Sequence, residues 1–334
     1  MENGMSILVT GAAGFIGLHV CKSLLARGEK VIGIDNLNDY YDPALKHARL
    51  KELADHTAFT FKHCDFADAN ALHEATSHQK LTAVIHLGAQ AGVRYSLENP
   101  SAYIQSNLVG HANILELCRH TDTLKHLVYA SSSSVYGGNT KLPFSTDDTV
   151  DTPISLYAAT KRADELLSQS YAHLFGLPQT GLRFFTVYGP WGRPDMALWL
   201  FTDAIIAGKP IRVFNHGDMS RDFTYIDDIV AGIVAVLDGP PVAGADNAFN
   251  NPAPHKIYNI GNNKPEPLLH MISVLEDALG IKAHQQLEPM QPGDVKATYA
   301  DTSALQKEFG FSAKTPIEIG IPKFVAWYKS YQQL

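Results

Sequence analysis

Short, mostly apolar runs alternate with longer stretches of helical periodicity over the first half of the chain. Residues 6–10, SILVT, are a compact run of strand formers that stops at Gly11. Ile16, Val20 and Leu24 then recur at helical spacing, and Gly28 closes the pattern. A second such run, VIGID, occupies 31–35, and others lie at 59–61, 83–87, 127–130 and 182–187. Asn99-Pro100 reads as a cap and first-turn proline for a helix to about Arg119; Pro153 stands in a similar place before a helix through Phe175. Strands that are apolar throughout and separated by helices belong to a parallel sheet covered on both faces. The pattern predicts an α/β fold with a doubly wound parallel sheet over 5–187.

Past Gly189 the texture changes. Pro190, Pro194, Pro210, Pro240, Pro241, Pro252 and Pro254 punctuate short mixed elements. Residues 243–255 read as an exposed loop, and a helix over 268–279 ends at Gly280. A smaller α/β C-terminal lobe is expected over 188–334, with 223–238 as a candidate return to the first domain. There is no internal repeat and no low-complexity tract.

Composition narrows the class. The chain has 334 residues, 45% hydrophobic and 18% charged, which excludes a disordered chain and allows a large core. Its net charge of −7 gives no basic footprint for nucleic acid. Cys21, Cys64 and Cys118 are widely spaced and read as reduced thiols in apolar surroundings. The start, MENGMSILVTG, carries no long apolar leader, and the apolar stretch 229–237 is too short to span a bilayer. A soluble, cytoplasmic protein is expected. The fifteen histidines form no metal-ligand spacing, so no metal is expected.

The first chemical motif is GAAGFIG. It sets Gly11, Gly14 and Gly17 three apart between a strand and a helix. Such glycines allow a tight turn, a close backbone approach to a pyrophosphate and close helix–sheet packing, while the helix start (Phe15, Ile16) offers free N–H groups to the anion. Strand two ends in Asp35, whose carboxylate suits a ribose diol and repels a 2′-phosphate, so NAD is favoured over NADP. Asn36 and Asn38 add polar groups there. Asp65, followed by Phe66 after the third strand, is a candidate near the adenine and equally a solvated strand end.

The second motif is a proton relay. Tyr157 and Lys161 are four apart and share one helix face. YASSSSVYG (129–137) follows a buried run and puts hydroxyls at the C-terminal edge of the sheet, where ligands of open α/β sheets bind. An alcohol releases hydride only if its proton leaves too. A tyrosine of pKa about 10 becomes a usable base when a cation favours the phenolate. A serine hydroxyl can hold the substrate oxygen.

GAAGFIG, SSSSVYG and YAATK together resemble the extended short-chain dehydrogenases/reductases that act on nucleotide sugars. The resemblance runs over nearly the whole chain, including RDFTYIDDIV (221–230) and DTSALQKEFGF near the end. It implies a Rossmann-type sheet, bound NAD and a nucleotide-sugar-binding second lobe. It gives Ser132 the place of the catalytic Ser/Thr, Tyr157 that of the acid/base and Lys161 that of its partner, which also holds the nicotinamide ribose. Leu87, Ala89 and Gln90 within HLGAQAGV, with Asn107, Phe184 and Val187, would line the NAD channel. Arg221 matches an arginine for the sugar diphosphate, and the Arg212–Val213–Phe214 segment one that contacts the base. The helices over 99–119 and 153–175 resemble a pair forming a four-helix homodimer interface.

Three segments are similar to the UDP-glucuronate 4-epimerases in particular: AQAGVRYS (89–96), SSSSVYG and TVYGPWGRPDMA (186–197). A uronate has a C6 carboxylate to be fixed. Ser133, Ser134 and Thr186 can donate to it and Arg193 can supply charge; Arg193 is otherwise a surface ion-pair partner, and Arg94 is as well suited to gating as to contact. Related dehydratases and decarboxylases carry acidic side chains at the positions of Ser133 and Ser134, so hydroxyls there favour simple C4 inversion. The alternatives are a UDP-glucose/UDP-galactose 4-epimerase, a UDP-glucuronate decarboxylase, and an NAD-binding regulatory protein with a dead site.

Overall fold

The computed structural model of the chain describes residues 4–244, 247–291 and 294–334. Residues 1–3 of the N-terminal segment and 245–246 of the expected loop lie outside the described residues.

The elements begin with β1 (Ser6–Thr10), α1 (Phe15–Ala26), β2 (Lys30–Asp35), α2 (Pro43–Lys51), β3 (Phe59–His63), α3 (Ala69–Thr76) and β4 (Leu81–His86). Next come α4 (Tyr95–Glu98), α5 (Pro100–Tyr103), a π-helical turn at Ile104–Val109, α6 (Gly110–Arg119), β5 (His126–Ser132), α7 (Leu156–Phe175) and β6 (Gln179–Phe184). The remainder is β7 (Thr186–Tyr188), α8 (Ala197–Ile206), β8 (Ile211–Val213), β9 (Ser220–Tyr225), α9 (Ile226–Leu237), β10 (His255–Ile260), β11 (Pro265–Pro267), α10 (Leu268–Leu279), β12 (Gln285–Leu287), α11 (Ser303–Phe309) and α12 (Ile317–Tyr331).

The main sheet has seven strands in the order β10-β6-β5-β4-β1-β2-β3. The pairs from β5 through β4, β1 and β2 to β3 are parallel. This is the Rossmann-like sheet that the apolar runs predict. β1 is buried at all five positions, and β4 at five of six. On one face, Leu8, Val84 and Leu127 pack with Ile114, Leu115 and Cys118 of α6. Each such side chain contributes about 1.5–3 kcal/mol by leaving water. The three thiols are buried and unpaired. Burial pushes Cys64 up to about 11 and drives Cys21 and Cys118 above the usual thiol range.

Two compact units divide the described chain. The first takes residues 4–137, Thr149–Arg183 and Val230–Tyr258; the second takes Gly138–Asp148, Phe184–Ile229 and Asn259–Leu334. This departs from a boundary at 187. The apolar run 182–187 is not one strand: it breaks at Phe185 into β6 of the main sheet and β7 of a separate three-stranded sheet, β11-β9-β7. The expected return at 223–238 holds from Val230 onward, where the chain rejoins the first unit, while the stretch before it stays in the second. Residues 220–225 belong to that smaller sheet, and the strand that rejoins the main sheet is β10. The expected exposed loop is mixed: Ala243, Gly244, Phe249 and Pro252 are exposed, while Asn247, Ala253 and His255 are buried.

Local signals account for the helix ends. Asn99 Oδ1 accepts from Ala102 N at 3.3 Å, as its place before Pro100 predicts. The helix to Arg119 is not uniform, since the π-turn interrupts it. α7 starts at Leu156, capped by Ser155 Oγ from Ala158 N at 3.1 Å, rather than at Pro153. On α1 the buried stripe runs through Gly17, Val20 and Leu24, and Ile16 is only half-buried at its margin. α10 spans Leu268–Leu279 and ends on left-handed Gly280, as predicted. No helix among the described residues is long and apolar enough to cross a membrane.

Candidate active site

The strand order reverses between β1 and β4, which makes the C-terminal ends of these strands the switch point where open α/β sheets bind ligands. There Thr10 and His86 pair across the ladder, joined by Thr10 Oγ1–His86 Nδ1 at 2.7 Å; Thr10 Oγ1 also accepts from Gly88 N at 2.9 Å. Gly11 takes a left-handed φ of +69°. A Cβ on Gly11 would meet Gly88 Cα at 2.9 Å, and one on Gly14 would meet Gly11 O at 2.9 Å. Gly14 caps α1 with no side-chain acceptor, so Phe15, Ile16 and Gly17 open the helix with N–H groups suited to an anion. The turn fits a pyrophosphate for this reason.

Asp35 is buried at the end of β2 and accepts from Ala13 N at 3.2 Å and Leu37 N at 2.9 Å. Its carboxylate therefore ties the glycine turn to the loop after β2. Two cations that the sequence reading missed stand beside it. Lys46 Nζ lies 3.8 Å from Asp35 Oδ1 and donates to Asn38 Oδ1 at 2.8 Å. Arg49 Nη1 donates to Ala13 O at 3.1 Å and Tyr41 Oη at 2.6 Å. Both are buried, and burial lowers the Lys46 pKa. Asn36 donates to Asp65 Oδ2 at 3.0 Å, and Asp65 also accepts from Ala67 N at 2.9 Å, so these two join the ends of β2 and β3 by a polar edge.

Phe66 is a buried wedge. Its ring meets His86 edge-on at 5.1 Å and fills the space that a Cβ on Gly88 or Gly110 would need. Asn107 sits in the π-turn, buried, with its amide engaged three ways: from Gln90 N at 2.8 Å, to Gln90 O at 3.1 Å and to Thr160 Oγ1 at 3.0 Å. It staples the loop holding Leu87, Ala89 and Gln90 to α7. Arg94 is exposed at the start of α4.

β5 delivers Ser132 to the sheet edge, where its Oγ accepts from Ser134 N at 3.1 Å and caps the turn carrying Ser133 and Ser134. Tyr157 and Lys161 lie on one face of α7 in the same unit. The Tyr157 ring meets that of Tyr103 at 6.1 Å, and Tyr103 Oη is anchored on Ala91 O and Gly92 O. Lys161 Nζ donates to Ala130 O at 2.9 Å and to Asp164 Oδ2 at 3.1 Å. Burial raises Asp164 to about 7 although Lys161 opposes it. Burial also disfavours ionised Glu165, but Arg183 at 2.8 Å and Ser131 at 2.7 Å hold it below the usual carboxylate range.

The remaining candidates belong to the second unit. Phe184 ends β6 and is buried; Thr186 and Val187 are half-buried on β7, Thr186 in register with Phe223 of β9. Arg193 forms a two-point ion pair with Asp195, at 3.0 and 2.5 Å. Arg221 donates to Ser220 O at 2.9 Å and Lys296 O at 3.2 Å; burial lowers its pKa and Asp294 partly offsets this, so an added anion would be favoured. The next residue, Asp222, is a fully buried anchor unnoticed in the sequence: it accepts from the backbone N–H groups of Asn262, Asn263 and Ala300 at 2.6, 3.1 and 3.0 Å. Arg212 is largely exposed, paired with Glu288 and stacked 5.0 Å from the Phe214 ring. The Val213 side chain is buried, and its carbonyl accepts from Glu288 N at 2.9 Å.

Sheet and glycine turn together define a dinucleotide-binding α/β protein. The chain belongs to the NAD dependent epimerase/dehydratase family, whose model matches residues 7–261. It is 49% identical to UDP-glucuronate 4-epimerase 4 of Arabidopsis thaliana, over 99% of this chain and 76% of that protein. It is 50% identical to Protein CapI of Staphylococcus aureus, over 98% and 99%. Among solved structures, UDP-glucuronic acid 4-epimerase from Bacillus cereus in complex with UDP-glucuronic acid and NAD superposes with a TM-score of 0.87 at 34% identity, covering 98% of this chain and all of that one.

Proposed function

We propose that the protein is an NAD-dependent isomerase that interconverts UDP-glucuronate and UDP-galacturonate by inversion at C4, through a transient 4-keto sugar. The observation that carries this reading is the Tyr157–Lys161 pair on α7 with a hydroxyl-only turn, Ser132 to Ser134, at the end of β5. Full-length similarity to UDP-glucuronate 4-epimerases supports it.

Each residue then has a task. Ser132 holds the C4 oxygen. Tyr157 takes the C4 hydroxyl proton, and Lys161 favours the phenolate that results from its ionisation. NAD, when bound, supplies the hydride acceptor for the oxidation and the donor for the return. The keto sugar presents its other face, and Tyr157 gives the proton back. The Gly11–Gly17 turn and the first turn of α1 hold the pyrophosphate, and Asp35 with Lys46 and Asn38 the adenosine ribose. In the second unit Arg221 meets the UDP diphosphate, the Arg212–Phe214 segment the base, and Thr186 and Arg193 are donors suited to a uronate carboxylate; in the first unit Ser133 and Ser134 are hydroxyl donors suited to the same chemistry.

The 4-keto intermediate is a β-keto acid, which loses CO₂ when the bond to the carboxylate aligns with the carbonyl π system. A carboxylate held near the carbonyl plane is protected, so a group that fixes the carboxylate has a second purpose. A homodimer through the helices of 99–119 and 153–175 belongs to this reading. The exposed Ile104 and Val109 on one and Leu166, Leu174 and Phe175 on the other supply its apolar cover. Three buried, unpaired thiols suit the reducing cytoplasm. The decisive experiment is to incubate purified protein with UDP-glucuronate and no added NAD. UDP-galacturonate without CO₂ release is expected; a pentose product, or conversion of UDP-glucose alone, would overturn the proposal.

A further inference from the structure

The Lys161 ammonium has three N–H donors, and two are engaged inside the protein, on Ala130 O at 2.9 Å and Asp164 Oδ2 at 3.1 Å. Both side chains of the ion pair are almost completely buried, at 3% and 1% exposure. Asp164 Oδ1 has no hydrogen-bond partner among the described residues. One donor of the ammonium is left for a ligand or for Tyr157, one helical turn away on the same face.

The groups around this pair are neutral or already matched. On α7, Glu165 is held by Arg183 of β6 at 2.8 and 2.9 Å and by Arg162 at 3.0 Å. His111 of α6 pairs with Ser168 at 2.9 Å, and its ring lies 5.3 Å from that of His86 on β4. Tyr129 of β5 bonds His255 of β10 at 2.8 Å. Burial holds His86 and His255 down at about 3 and His111 well below its usual range, and drives Tyr129 upward. Near neutral pH none of these four changes its charge. Asp164 is different: burial brings its titration to about 7 against the pull of Lys161.

We propose that Asp164 is a positioning residue for Lys161, fixing where the ammonium points and how much of its positive charge reaches the Tyr157 phenol. With the carboxylate ionised the pair is a buried dipole, and its effect on the phenol is muted. With the carboxyl neutral the phenol meets an uncompensated cation, and the phenolate is favoured. This inference rests on Tyr157 being the proton carrier.

The test is Asp164→Asn, which keeps the size of the side chain and removes its charge. Tyr157 ionisation is read in the NAD-loaded protein without sugar, as the tyrosinate absorbance of the protein minus that of its Tyr157→Phe counterpart. The pH dependence of kcat is measured in parallel. Both the Tyr157 midpoint and the acid limb of kcat should move to lower pH by about one unit. A uniform drop in kcat with an unmoved midpoint, or a move to higher pH, overturns the proposal. If Asp164→Asn does not fold, Asp164→Ser is read the same way. Full turnover in Tyr157→Phe would instead sink the proton-carrier assignment; an inactive Tyr157→Phe with no shift in Asp164→Asn sinks only the role of Asp164.

Discussion

A Cβ on Gly17 would stand 2.0 Å from the carbonyl oxygen of Gly11, with Ala12 Cα a further contact at 3.0 Å. Both neighbours are backbone, so neither can rotate away. Gly17→Ala should therefore open the turn, at a cost of about 2–4 kcal/mol in stability. NAD extracted from the purified variant should fall well below one per chain. A variant with unchanged Tm and full NAD would show that the turn has slack the geometry denies.

Tyr157 is half-buried and lies away from the glycine turn in sequence, so its hydroxyl can be removed without touching the pyrophosphate cradle. Tyr157→Phe should lose about 10³-fold in kcat with NAD still bound. Product formation over long incubation, beside NAD content, checks this.

Arg193 must exchange Asp195 for the sugar carboxylate if it is to clamp C6. Arg193→Ala should raise the yield of UDP-pentose and CO₂ relative to the C4 epimer. An unchanged product ratio, measured by chromatography of the UDP-sugars, would remove Arg193 from the clamp.

The Asp164 carboxyl titrates at about 7 in the folded chain against an ordinary value of 3.8. The folded state thus binds a proton that the unfolded state has released. The stabilisation from the neutral carboxyl is complete below about pH 4 and is lost as pH rises through about 7. Relative to Asp164→Asn, the native protein should lose stability across that window, read as the difference in denaturant midpoint at pH 5 and pH 8.

The glycine turn, β1, β2 and the Tyr157–Lys161 face were legible because their signals are local: a strand run, a stop, a helical spacing. Asp35 was legible as the acidic end of the second strand. Lys46 and Arg49 were not, because PALKHARLK carries no local signal of burial; their partners, Asp35, Asn38, Tyr41 and Ala13, come from β2, the loop after it and the glycine turn. Asp164 was hidden because a charge in mid-helix gives no local sign of burial. The break at Phe185 has no turn residue to announce it; 182–187 contains no glycine or proline, yet its strands join different sheets. The homodimer, the compartment and the role of each site residue rest on resemblance and on the proposal above.

The π-turn at Ile104–Val109 has a consequence for insertions and deletions. Each residue of an α-helix advances the chain by roughly 100° around its axis. Removing one residue from this turn would let it relax to ordinary α-helix and swing the residues before it about a quarter of a revolution against those after it. Asn107 would then lose its aim at Gln90 and Thr160 even though its own chemistry was untouched. The segment should tolerate changes of side chain far better than changes of length.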